Sequence, residues 1–120
     1  MPDKDTMIAA VQTHCRASSQ GNREEWLAIW AEDAVVEDPV GAPPHRGIAA
    51  IGDTFWAMSR NAAPQLTLLE DVIVCGNEAI AIMQAEVGPE GNRRTLKPVV
   101  DHFTFNEAGK IVKMRAFFKY

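Results

Sequence analysis

The stretch TLKPVVDHFTFNEAGKIVKMRAFFKY, residues 95–120, decides how the second half of the chain reads. Two runs rich in valine and phenylalanine flank NEAGK (106–110), where a glycine sits among polar turn-formers. That is the signature of two antiparallel strands joined by a hairpin. Side chains alternate along a strand, so Val99, Asp101, Phe103 and Phe105 share one face, and Val100, His102 and Thr104 the other. Asp101 thus lies in line with two phenylalanines. An ionised carboxylate on an apolar face is costly; it must pair, reach water or keep its proton. Read alone, a position at the sheet edge would satisfy it equally well.

Upstream, AIAIMQAEV (79–87) and QLTLLEDVIV (65–74) repeat the strand pattern, punctuated by CGNE (75–78) and GPEGNR (88–93). Four such runs make an antiparallel meander. The first half has a different period. In DKDTMIAAVQTHCRASS (3–19), Met7, Ile8, Val11 and Cys15 recur at helical spacing, and His14 falls on the same inward side. Gly21 closes that helix, and Asn22 with Glu25 forms a capping-box start for a second, REEWLAIWAED (23–33), with Trp26, Leu27 and Trp30 on one side. Ile48, Ile51, Phe55 and Met58 mark a third, ending near Asn61. Three N-terminal helices followed by a sheet indicate an α+β fold with helices on one sheet face.

At 120 residues the chain reads as a single domain, 1–120, with 47% hydrophobic residues, enough for a core and too many for disorder. Its net charge of -4 and scattered Lys and Arg leave no basic face for nucleic acid. No apolar run approaches a membrane span, and MPDKDTMIAA lacks the basic start and apolar core of a signal peptide, so a soluble cytoplasmic protein is expected. Cys15 and Cys75 lack metal or redox spacing and read as small buried hydrophobes. No two histidines have metal-site spacing, the glycines are hairpin residues, and no G-x-S-x-G is present; neither metal nor cofactor is expected.

Between the helical and strand halves, VEDPVGAPPHRG (36–47) places Glu37 and Asp38 before a proline. Asp before Pro is a common solvated turn. The functional alternative comes from pairing Asp38 with Asp101, since two carboxylates in unlike environments can divide base and donor roles.

WAEDAVVEDPVGAPPHRG (30–47), VVDHFTF (99–105) and GKIVKMRAFF (109–118) together resemble the bacterial Δ5-3-ketosteroid isomerases of the nuclear-transport-factor-2-like fold. The resemblance runs through nearly the whole chain in order. It implies a curved, mainly antiparallel sheet and three helices enclosing a conical pocket. It also implies a cofactor-independent shift of a β,γ double bond into conjugation with a ketone, on a steroid or steroid-like substrate. By position, Asp38 matches the general base that moves a proton from C4 to C6. Asp101 matches the protonated acid that donates to the dienolate oxygen, and Met114 and Phe118 match pocket-lining positions. Such tuned carboxylates in ketosteroid isomerase are a known case of environment-set acidity.

The chain departs from the family at the principal oxyanion donor, a tyrosine on the first helix, where it has His14. Its one tyrosine is Tyr120, and the two supporting tyrosines correspond to Trp30 and Phe55. A neutral imidazole can donate one hydrogen bond, so His14 is the candidate replacement; a core histidine bonded to a carbonyl is the alternative. Trp30, Phe55, Phe103, Met114 and Phe118 are the expected substrate-contacting residues. His45 is expected in a solvated loop at the pocket rim. His102 is expected on the back of the sheet, where this fold forms its homodimer. Polyketide cyclases of the same fold and a non-catalytic binder of a small apolar ligand remain competing functions.

Overall fold

The computed structural model describes residues 1–119; Tyr120, and with it the end of the last expected strand, lies outside the described residues. Helix α1 (Lys4–Gln20) begins at Asp3, whose carboxylate accepts from the Asp5 amide, and ends at Gly21 in the left-handed region (φ 70°). The Gly21 and Asn22 amides bond the Ser18 and Ala17 carbonyls, closing the helix in a Schellman motif. Arg60 crosses to the same end and donates to the Ser18 carbonyl, 2.6 Å. Asn22 then caps α2 (Arg23–Leu27) reciprocally: its Oδ1 accepts from the Glu25 amide, and its Nδ2 donates to Glu25 Oε2 at 3.0 Å.

The second helix stops six residues earlier than the expected 23–33. Trp30 already belongs to strand β1 (Trp30–Glu37), paired with Ile111, and Lys110 Nζ donates to the Ala28 carbonyl at the helix end. Pairing with the last strand overrides helical periodicity here. The third helix extends to Ala62 and has three pieces: α3 (Ile48–Ala50), a π-helical turn (Ile51–Phe55) and α4 (Trp56–Ala62). Arg23 supports the π turn, donating to the Gly52 carbonyl and to Asp53. Met58, expected inside, is 54% exposed.

The remaining strands are β2 (His45–Arg46), β3 (Gln65–Leu68), β4 (Ile73–Cys75), β5 (Glu78–Val87), β6 (Arg94–Phe105) and β7 (Ile111–Phe117). QLTLLEDVIV is therefore two strands, interrupted at residues 69–72, and both pair antiparallel with β5. The sheet order is β2-β1-β7-β6-β5-β3, with β4 also on β5. All pairings are antiparallel except β1 with β7, which is parallel and carries a bulge between Trp30 and Val35. That bulge explains why the burial of β1 breaks its alternation at Glu32 and Asp33.

On the inner face, Ala79, Ala81, Met83, Ala85, Phe103, Phe105 and Met114 join Met7, Val11, Trp26, Ile51 and Phe55 in one core. The outer face carries an apolar stripe, Ile73 beside Ile80 on one rung and Ile82, Val100 and Phe117 on another. Ile73 and Phe117 are exposed on it. Cys15 is buried as expected, but Cys75 is exposed, because it sits at the hairpin end of β4. No helix among the described residues is long and apolar enough to cross a membrane.

Candidate active site

Strand register brings the two aspartates together. Asp101 lies opposite Ala116 on β7 and Ala81 on β5. Glu37 lies opposite Arg115, and past the end of β1 the Val40 amide bonds the Ala116 carbonyl, 2.9 Å. Asp38 therefore stands across Ala116 from Asp101, about 10 Å away backbone to backbone, or two strand spacings. The small side chain at Ala116 leaves the space between them open.

That space is a pocket of about 300 Å³. Leu66, Ala85, Val87, Leu96 and Val99 supply its sheet wall, and Phe55, Ala62 and Pro64 its helical side. The exposed Met58 and Arg94 lie on its rim. An apolar cavity with a few convergent polar groups is the usual form of a small-molecule site.

Those polar groups gather at the inner end. His14 Nε2 lies 3.3 Å from Asp101 Oδ2, with side chains only 6% and 5% exposed. The Trp26 indole N–H donates to His14 Nδ1, 3.1 Å. The His14 and Phe103 rings meet edge to face, 5.5 Å between centroids, which packs the imidazole in place. Burial pushes the Asp38 carboxyl up to about 6. A carboxylate so tuned is ionised at neutral pH yet basic enough to take a proton from carbon. Cys15 is also held by burial at about 12, so its thiol stays protonated and unreactive. Among the described residues, no group of three or more His, Cys, Asp or Glu is arranged to hold a metal ion.

His14, Asp38, Asp101, Phe55 and Phe118 thus line one pocket. Trp30, Phe103 and Met114 do not open on it. Phe103 and Met114 are cross-strand partners one step past Asp101, where α1 and Trp26 already close the cavity, and Trp30 packs behind Trp26. Alternation gives the face of a strand but not how far along it the pocket reaches. His45 is half-buried on β2, its ring 5.3 Å from Phe55, rather than in an open loop. His102 is on the outer face, bonded to Glu78 Oε1 at 2.6 Å. Sequence reasoning missed Trp26, Leu96, Val99 and Ala116 as wall residues. Leu96 lies before the register shift between β5 and β6, which hides its phase. Val99 and Ala116 were available by alternation from Asp101 and Phe118. Nothing local distinguished Trp26 from a core tryptophan.

Residues 11–114 match the family model of the SnoaL-like domain. A steroid Δ-isomerase of Nocardioides simplex is 34% identical over 109 residues, 91% of this chain and 86% of that one. The Δ5-3-ketosteroid isomerase from Mycobacterium sp. superposes with TM-score 0.82 at 29% identity, covering 95% of this chain and 93% of the other. The epoxide hydrolase/cyclase-like enzyme SalBIII of salinomycin pyran-ring formation superposes with TM-score 0.87 at 25% identity, over 99% and 95% of the two chains.

Proposed function

The chain belongs to the SnoaL-like family of the nuclear-transport-factor-2-like fold, with the Δ5-3-ketosteroid isomerases among its relatives, and from that membership we propose that it isomerises a β,γ-unsaturated ketone on a steroid-like body. The observation that carries this reading is the inner end of the pocket, where a carboxylate tuned to about 6 faces a second carboxyl across a single alanine.

The ketone oxygen sits at Asp101, which by its match to the family's acid donates a hydrogen bond to it. Asp38 removes a proton from the carbon between ketone and alkene. The electron pair moves onto the oxygen as a dienolate, stabilised by the donors facing it. Asp38 then returns the same proton to the far carbon of the former alkene, giving the conjugated enone. Nothing is oxidised, and no co-reactant is consumed. His14 supports the oxygen-facing end as a neutral imidazole. The apolar wall from Leu66 to Val99 receives the hydrocarbon rings, with Arg94 free at the rim to meet a polar far end. On the outer face, a second copy of the chain covers the stripe at Ile73, Ile82 and Phe117; light scattering reads that homodimer directly.

Incubation with 5-androstene-3,17-dione tests the proposal, because the enone product absorbs strongly in the ultraviolet. Absorbance should rise with the parent chain and fail to rise with Asp38→Asn. A silent parent that nevertheless binds steroids would assign the pocket to ligand binding. SalBIII-like ring-forming chemistry is the other enzymatic outcome, favoured by that structural likeness.

A further inference from the structure

A hydrogen bond and a close polar contact run in series from α2 through α1 to β6, and their chemistry is more restrictive than their distances. An indole N–H can only donate. The bond from Trp26 Nε1 to His14 Nδ1 therefore requires a lone pair on Nδ1, which leaves the ring proton on Nε2. Nε2 is the nitrogen on the Asp101 side, 3.3 Å from Oδ2. An imidazolium at His14 would set an N–H against the indole N–H, so the same contact disfavours the cation. His14 consequently has both nitrogens committed before any ligand arrives.

We infer that Trp26 is a positioning residue: it holds His14 as the neutral Nε2–H tautomer, and His14 in turn holds one oxygen of Asp101, leaving the other oxygen to face the ligand. This assigns His14 to orienting Asp101 and makes Asp101 the group that touches the substrate oxygen, refining the proposed reaction on which it rests. The groups around the ring are consistent with this direction of donation. Asp101 on β6 and Asp38 beyond β1 are acceptors when ionised, Cys15 is the neighbouring titratable group on α1, and Phe103 and Trp30 meet the ring without a hydrogen bond. Trp26 is 1% exposed, so water does not compete for its N–H.

The test is ¹⁵N NMR of histidine-labelled protein at pH 8, without ligand. In the parent, His14 should show a protonated Nε2 and an unprotonated Nδ1. In Trp26→Phe, which keeps an aromatic ring and removes the donor, the two tautomers should mix. Turnover should then fall about tenfold, the worth of one hydrogen bond, with KM little changed. Parent spectra with the proton on Nδ1, or an imidazolium, would overturn the inference whatever the variant does. So would a Trp26→Phe protein with an unaltered tautomer. Because the spectra need no substrate, a correct tautomer in a chain without isomerase activity counts against the proposed reaction alone. Active enzyme with the opposite tautomer counts against the relay alone.

Discussion

Trp26 and Trp30 lie 5.1 Å apart, ring to ring, and both are at least 95% buried, yet they do different things. The Trp26 N–H is bonded to His14 at the inner end of the pocket, whereas the buried Trp30 N–H has no partner among the described residues. Trp26 thus belongs to a polar chain that reaches the pocket, and Trp30 to the packing layer behind it with Phe103 and Met114. The difference follows from position rather than residue type. α2 aims one indole at α1, while the bulged start of β1 leaves the other among hydrocarbon and aromatic neighbours.

Substitutions on the two sides of this boundary should separate cleanly. The largest effect is expected at Asp38. Asp38→Asn keeps size and removes the base, so turnover should fall roughly a thousandfold while steroid binding persists, as read by enone absorbance and ligand titration. Near-parental turnover would place the base elsewhere. The same variant has a stability signature. Because the folded-state value is raised from 3.8 to about 6, the folded chain binds this proton more tightly than the unfolded chain. The stabilisation is complete below about pH 4 and lost as pH rises through about 6. Asp38→Asn should therefore be more stable than the parent at pH 8, by about 3 kcal/mol, and nearly all of the advantage should be gone at pH 4.

His14→Ala removes the link to Asp101 and leaves the Trp26 donor unpaired; turnover should fall about a hundredfold. An equally active alanine variant would detach the relay from the chemistry. The smallest effect is expected on the other side of the boundary. Trp30→Phe removes an N–H without a partner among the described residues, so the packing lost is partly offset by the polar group no longer buried. Its turnover should stay within about twofold of the parent, with a stability change under about 1 kcal/mol in urea titrations. A large loss of turnover would move Trp30 into the working part of the site.

Much of this arrangement was legible in the residues. Gly21 and the Asn22–Glu25 pair marked one helix end and the next helix start, and Gly76, Gly91 and Gly109 marked the hairpins, because turn chemistry is local. Alternation put Asp101 on the face of Phe103, and its resemblance-based pairing with Asp38 favoured the buried position over the sheet edge. The errors came where long-range pairing decided the outcome. Trp26 and Trp30 are four residues apart, a helical spacing, but the second pairs with Ile111 in a parallel ladder that no local pattern reports. The interruption in QLTLLEDVIV, the π turn at Ile51–Phe55 and the depth of the pocket along β6 are likewise set by what packs against them. The service of Trp26 to His14 needed the two helices side by side before it could be read.

The most direct test of the account is the pH dependence of kcat/KM for enone formation, which reports the ionisation of the free enzyme's base. The profile should rise tenfold per pH unit in the acid range, be half-maximal near pH 6 and be level above pH 7, as expected for Asp38. A profile that is flat across this range, or one still climbing above pH 7, would contradict it.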